Sequence, residues 1–574
     1  MSSTSVTSSE PKDEKPFHST WSGKPNVQGT PPSPSSASST SLTSRRAKKS
    51  VIEYIRLLSL VIGICLGVII GSLDMNIVST ALPSITDQFH SSQDDGWYGT
   101  AYLMTLSAVQ LFWGHLYKAF PAKVVFLSAL GIFEVGCTVS ATASSSTAVI
   151  FGRAVSGLGS AGFFCGCLII MSYVVALRFR PMVNALIGLL IGSTQAMAPV
   201  VAGALTSGPG WRWCFWISLP IGAIASILVI LGCSIQEPAD RLNGKTLGKH
   251  WVSFDWVGLG LWIPFIACFM LILQCGGSQY GWTSGSMVAL YVMTPILLGS
   301  YVIWQWHAGE DALTPARIMS QRSMVAGSLY MLFNAAVESQ IPYFSILVNQ
   351  LPVFFQAVQE KTALQAGTDT LPYLMSLVAF FIIAGTGTTI VGYYFPFMIL
   401  GSTVLSIGTG LLSTFTVSTP LGRWVGYQVI AGAGLALGFD APQLAAQTVF
   451  NTAEHDMTIA LTIITSLMNL GGALGVSTGT LILNNRATTL LVGHVPGLTS
   501  SIISKSGLTD ILSLVPAKYS SSVSAAYAQS IQSVFYSTTA FALLTFMIAW
   551  FMEWKSVKDD HAAISGDEEK GKGN

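Results

Sequence analysis

"LLSLVIGICLGVIIGSLDMNIVSTALP", residues 57–83, opens with a run from Leu57 to Ile70 that carries no charged side chain, and then holds a single carboxylate, Asp74. A membrane crossing takes about 20 predominantly apolar residues, so the stretch reads as one spanning helix. Asp74 then sits in the outer third of that helix. An ionisable side chain at such depth is costly and by default marks function. Across all 574 residues, 51% are hydrophobic and only 10% charged. A soluble domain carries about 25% charged residues. The chain therefore reads as an all-α polytopic membrane protein.

Composition also excludes several classes. A net charge of +1 provides no concentrated basic surface of the kind that phosphate backbones require, so nucleic acid is set aside. The eight cysteines (Cys65, Cys137, Cys165, Cys167, Cys214, Cys233, Cys268 and Cys275) lie in apolar stretches without metal-ligand spacing. They read as small buried side chains at helix contacts, with neither disulfides nor metal expected. There is no GxxxxGK[ST], no HExxH and no GxSxG in a credible context. An enzyme and an ATP-driven pump are thereby excluded. Residues 1–50 are rich in Ser, Thr and Pro and read as a disordered tail without a cleavable signal. "RRAKK", residues 45–49, precedes the first span and places the amino terminus in the cytosol.

Cutting the chain at charged and Gly/Pro-rich punctuation predicts fourteen spans, near 56–80, 95–117, 124–143, 148–176, 182–206, 212–233, 254–275, 286–306, 323–353, 369–391, 393–415, 422–450, 457–483 and 530–553. The resulting domains are a six-helix bundle over 51–235, a linker with two additional spans over 236–310, and a second six-helix bundle over 311–555. Within the last, 485–529 is expected to be an extracellular loop with a short interfacial helix, and 556–574 a disordered cytosolic tail. Lys118, Lys123, Arg178, Arg180, Arg241, Lys245, Lys249, Arg317 and Arg322 fall in loops predicted to be cytosolic, whereas Arg212 alone falls on the other side of the first half. In the second half this bias fades, and topology there rests on the count.

Two sixes around an insert suggest structural repeats with a site at their interface near mid-membrane. If each six is built of triplets, the leading helices are spans 1, 4, 9 and 12, and each carries one ionisable group: Asp74, Arg153, Glu338 and Asp440. Glu134 in span 3 and Asp255 at the start of span 7 show that the pattern is not exclusive. Each acid also has a plain structural reading as an ion-pair or hydrogen-bond partner of a neighbouring helix. Arg153 cannot shed its proton, so its expected role is to pair with a carboxylate, and depth points to Asp74. Around it, "GRAVSGLGSAGFFCGC" (152–167) repeats small residues at helical spacing, which permits close helix approach. In span 5, "GLLIGSTQAMAPVVAGAL" (188–205) sets Gly192 and Gly203 around Pro199. That pattern serves either packing or a hinge.

"LDMNIVSTALP", "GRAVSGLGSAG", "GSTQAMAPVVAGAL", "WRWCFWISLPIG" and "VGYYFPFMI", in this order over about residues 50–555, resemble the fungal fourteen-span drug:proton antiporter family of the major facilitator superfamily. "GWYGTAYLMT" and "QLPVFFQAVQ" place the likeness with its toxin and multidrug efflux pumps. The resemblance implies a major facilitator fold and proton-coupled export by alternating access. It matches Asp74 to the acid of the first-span signature, Arg153 to the arginine of the fourth, and Gly192, Pro199 and Gly203 to the antiporter signature. Ala198, Asn76 and the loop "GHLYKAFPAKVVF" depart from the family pattern, and Asp440 stands where relatives commonly have an uncharged residue.

The expected function is export of amphipathic organic compounds such as toxins, drugs and secondary metabolites by a monomer in the cell membrane, both termini cytosolic. No cofactor is expected, the proton gradient supplying the energy. Glu338, Asp440 or both would carry the coupled proton, with Asp74 and Arg153 as a gating pair. Tyr102, Gln195, Phe333, Asn334, Gln340, Phe439 and Gln443 are candidate cavity residues, because aromatic and amide groups orient ligands in a largely apolar pocket. The alternatives are a siderophore or basic amino-acid carrier of the same fold, for uptake or in the vacuolar membrane, and a non-transporting membrane receptor.

Overall fold

The computed structural model describes residues 37–91, 94–232, 254–276, 280–341, 369–416, 419–451, 453–494 and 519–558. The chain forms two compact units, Met1–Tyr54 and Ile55–Asn574. In the first unit the described stretch is helical and forms the opening turns of α1 (Ala37–Phe89). A disordered tail to residue 50 was expected. The helix instead begins at Ala37, since no Gly or Pro interrupts the chain between there and Gly63.

The second unit continues with α2 (Asp95–Ala119), α3 (Ala122–Ala141), α4 (Ser146–Val174), α5 (Arg180–Ser207), the short α6 (Trp213–Trp216) and α7 (Ser218–Gly232). The pair α8 (Trp256–Cys275) and α9 (Gly285–Ala308) follows, then the single turn α10 (Ala316–Met319). Last come α11 (Arg322–Gln340), α12 (Leu371–Val391), α13 (Phe395–Leu412), α14 (Leu421–Phe439), α15 (Ala441–Val449), α16 (Glu454–His494) and α17 (Ser520–Ala549).

Among the described residues, twelve candidate spans are long and apolar enough to cross a membrane. The other two expected crossings are present as helices, α2 with 25 residues and α11 with 19, but lie outside that set. Both carry polar groups inward, Gln110 and His115 on α2 and Asn334 and Gln340 on α11, which lowers their mean hydropathy. Fourteen spans are therefore not established by apolarity. Helices α16 and α17 also cut into the expected loop 485–529: α16 runs to His494 because Pro and Gly first appear together at 496–497, and α17 begins in the Ala/Ser-rich stretch at Ser520. The expected interfacial helix between them lies outside the described residues, as do the expected basic loop positions Arg241, Lys245 and Lys249.

Packing follows the small residues. On α4, Gly157 and Gly159 face α2 and α3, and a Cβ on Gly159 would fall on the backbone of Phe133 and Ala129. The glycine-rich motif is thus a packing surface. Gly71 of α1 lies against Phe163 of α4, and Gly63 against Val229 of α7. The second bundle repeats the device where Gly401 and Gly408 of α13 meet Gly438 and Ala431 of α14. The bundles are joined chiefly by α5 on α12 and α2 on α16, with α4 also touching α16. Helices α8 and α9 pair with each other and lean on α2. Asp255, at the N-cap of α8, clasps this pair: its carboxylate accepts from Gly258 N (2.7 Å), Trp304 Nε1 (2.7 Å), Gln305 Nε2 (2.9 Å) and Leu313 N (3.1 Å).

Candidate functional site

Asp74 and Arg153 meet, as the sequence pairing required. Arg153 Nη1 lies 2.5 Å from Asp74 Oδ2, with the two side chains 1% and 0% exposed. A charge buried this deeply needs every donor used. Arg153 Nε donates to Tyr98 O at 3.1 Å, and its guanidinium stacks 4.4 Å from the centroid of the Tyr102 ring. Tyr102 in turn donates to Ser160 Oγ at 2.7 Å, while Cys137 Sγ approaches Asp74 Oδ1 at 3.8 Å. Tyr102, expected in the cavity, is therefore buried as a wall of this ion pair. The glycines of α4 make the corner possible, because they draw α2 and α3 close enough to cover the charges.

Glu134 stands nearby on α3, its carboxylate set in the notch where Gly222 of α7 has no side chain. Both oxygens are buried and lack a hydrogen-bond partner. It is near enough to Asp74 to feel its charge.

The acids of the second half are held differently. Glu338 near the end of α11 lies within hydrogen-bonding reach of Gln195 on α5, so two expected site residues from opposite bundles come together. Tyr373 of α12 is close to the same carboxylate, and its hydroxyl has no partner. One turn earlier, Asn334 is fully buried with neither amide atom bonded. Asp440 lies at the break between α14 and α15, where Pro442 follows. Among the described residues, no cation pairs with Glu338 or Asp440.

The remaining cavity candidates separate. Gln340 is a structural tie, its amide donating to Gly475 O (3.1 Å) and Thr478 Oγ1 (2.9 Å) and accepting from Thr538 Oγ1 (2.6 Å). Phe333 stacks on Phe541 at 5.9 Å, and Phe439 meets Phe381 edge-on at 5.7 Å. Gln443 is buried on α15. On α5, Gly188 and Gly192 lie against Phe381 and Leu377 of α12, whereas beyond Pro199, among the described residues, Gly203 has no atom within 4 Å of the place a Cβ would take.

On α16, sequence reasoning missed a polar stripe. Thr458, Thr462, Thr465 and Asn469 recur at helical spacing on one face. Across the bundle interface Thr458 meets Tyr173 Oη (2.7 Å), Thr462 meets Cys165 Sγ (3.2 Å), Thr465 accepts from Gln110 Nε2 (3.1 Å) and Asn469 donates to Gln110 Oε1 (3.4 Å). Arg180 adds a bond to Asn451 at 3.3 Å. Each of Thr462 and Thr465 also donates to a carbonyl of its own helix, Thr458 O at 2.7 Å and Leu461 O at 2.9 Å. The bundles are thus fastened from the α4 carboxyl end to mid-helix. The signal in the sequence was the 4-3-4 spacing of hydroxyl and amide groups in an otherwise apolar helix.

The sequence pattern of the Major Facilitator Superfamily matches residues 64–476. The chain is 38% identical over 505 residues to the MFS-type efflux pump MFS1 of Arthroderma benhamiae, covering 88% of this chain and 92% of that one. It is 38% identical to the aspyridones efflux protein of Neocamarosporium betae (88% and 89% covered) and 37% identical to the efflux pump roqT of Penicillium rubens (87% and 91% covered). In fold it is similar to the human organic anion transporter MFSD10, with a TM-score of 0.55 at 12% identity over 86% of this chain and 99% of that one. The proton:xylose symporter XylE aligns with a TM-score of 0.56 at 13% identity, over 88% and 97%.

Proposed function

The chain belongs to the Major Facilitator Superfamily, with fungal MFS-type efflux pumps among its relatives, and from that premise we propose that it exports amphipathic organic compounds across the cell membrane in exchange for protons. The observation that carries the coupling is Glu338: a carboxylate without a cation, at the seam of the two bundles, in reach of Gln195 from the opposite one. In an apolar seam such a charge needs compensation. A bound proton supplies it in one state, and a bound substrate, above all a cationic one, supplies it in another. Asp440 shares the property, and Glu134 is the next acid in line. Asp74 has its compensation built in, so it and Arg153 act as a gating pair that holds α1 against α4. With both termini cytosolic, the end of the bundles fastened by α16 is the inner one and the end around Gly203 the outer one. Alternating access then exchanges these two arrangements.

The relatives' names support toxins and secondary metabolites as the substrate class. The test is uptake of a fluorescent amphipathic cation into inverted membrane vesicles under an imposed pH gradient. Glu338→Gln, Asp440→Asn and the double variant are compared with the parent. We expect at least one single variant to lose gradient-driven flux by tenfold or more, about 1.4 kcal/mol in the rate-limiting step, while delivery to the membrane stays normal. Unchanged flux with unchanged pH dependence in all three variants overturns the assignment and moves it to Asp74 or Glu134.

A further inference from the structure

The motif "VGYYFPFMI", residues 391–399, makes the turn between α12 and α13, and the export reading gives it no task. Four of its residues in a row hold the segment that follows α17. Gly392 O accepts from Val557 N at 2.8 Å, and Tyr393 forms an antiparallel bridge with Ser556. Tyr394 Oη donates to Glu553 O at 2.9 Å, while Tyr393 and Phe395 receive the Trp554 ring, with centroids 6.0 and 4.9 Å away. Lys558 Nζ donates to Ile390 O, which sets a cation on the carbonyl end of α12. Gly392 is required there twice over: its φ is +88°, and a Cβ would lie 2.7 Å from Lys558 Cδ. At the other edge Arg322 Nε, at the start of α11, donates to Phe551 O at 2.7 Å. Residues 551–558 are thus a strap laid across the starts of α11 and α13 and the end of α12.

What lies beneath the strap links it to opening. Met552 and Val557 are buried in an apolar cluster with Tyr330 of α11, Met398 of α13 and Leu444 of α15. Met552 Cε lies 3.7 Å from the place a Cβ would take on Gly327, and Pro442 lies 3.4 Å from the same place, so the strap reaches the α14/α15 break that holds Asp440. The cluster also takes in Leu177, from the connection between α4 and α5 in the first bundle. Opening this end must withdraw Leu177 from it. The strap itself is held by two buried apolar side chains and a few hydrogen bonds, and Trp554 remains 61% exposed. So small a set of contacts can come off as a local unit. We propose that the strap is a latch on the inner end: docked, it holds the helix ends of the second bundle in the form that receives Leu177, and it undocks each time that end opens. The latch rests on the alternating-access reading given above.

The experiment places Leu177→Cys in the full chain and reads its reactivity toward an impermeant maleimide in inverted vesicles, the unsubstituted chain giving the background. Trp554→Ala removes an exposed ring from the latch and should raise the labelling rate about fivefold, and Tyr394→Phe, which deletes one bond, about twofold. Neither should lower the melting temperature more than the control Trp550→Ala, a ring 57% exposed that meets Phe546 of its own helix. Equal labelling in all variants overturns the proposal, as does an equal rise in Trp550→Ala. A lock should have the opposite sign. Tyr393→Cys with Ser556→Cys sets two thiols opposite one another across the bridge, a separation that a disulfide spans. Closing it should cut gradient-driven dye flux about tenfold, and a reductant should restore it. Full flux with the disulfide closed overturns the latch. A parent chain that carries no dye under any gradient instead faults the export reading, and the labelling rates then decide the latch alone.

Discussion

Asp74 in α1 and Glu338 in α11 occupy corresponding first helices of the two bundles, yet their surroundings are opposite. Asp74 has a guanidinium at 2.5 Å, a thiol beside its other oxygen and no exposure to solvent. Glu338 has the neutral amide of Gln195, the unbonded hydroxyl of Tyr373 and, one turn away, the unbonded amide of Asn334. The corner at Asp74 keeps its charge answered, and the corner at Glu338 keeps polar groups waiting. On the proposed reading the difference divides labour between two corners: a rigid one that holds helices, and a receptive one that takes up a proton or a ligand without breaking a pre-existing pair.

The contrast is broken most directly at Arg153. Arg153→Leu strands a buried carboxylate, and thermal unfolding of the purified protein should show a loss of about 3–5 kcal/mol. Adding Asp74→Asn should restore most of the melting temperature but not export. If Glu338→Leu destabilises as much as Arg153→Leu, the two acids are not differently held and the division of labour falls. Next in size, Gly159→Leu overpacks the α3/α4 contact and should cost about 1–3 kcal/mol. A Cβ at Gly203 meets no atom within 4 Å among the described residues, so Gly203→Leu is expected to fold normally and to fail in vesicle flux, because the side chain obstructs closure of the outer end. Normal flux in that variant would assign Gly203 to a face that never closes. Asn334→Leu sharpens the other side of the contrast: it removes two unbonded buried atoms, so stability should rise by about 1 kcal/mol while export falls. The smallest effect is expected at Arg317, whose bidentate contact with Asp456 (2.8 Å) is half exposed. Arg317→Ala should shift stability by less than about 1 kcal/mol, and less still in high salt.

The helical architecture was legible because lipid imposes length and apolarity on each crossing, as in residues 57–83. The Asp74–Arg153 pair was legible because two opposite charges at equal depth in an apolar medium have few other solutions. Less legible were α2 and α11: interior helices need not be apolar all round, and their inward Gln110 and Asn334 dilute the very signal used to find them. The cavity candidates scattered for a related reason. An amide in a membrane helix serves equally well as the neighbour of a lone carboxylate, as Gln195 is to Glu338, or as a tie between helices, as Gln340 is. Only its neighbours distinguish the two. The α16 stripe went unread because threonine is inconspicuous in hydropathy.

That stripe has a kinetic consequence. When the bundles separate, Thr462 and Thr465 keep the bonds they donate to Thr458 and Leu461 within α16, so parting leaves neither of these two hydroxyl hydrogens without a home. What is surrendered is a set of weak acceptor contacts, replaceable by water as it enters. A seam closed by ion pairs would be stronger and slower to part. A seam of threonines is reversible at modest activation cost, which suits a machine whose output depends on how often it reopens.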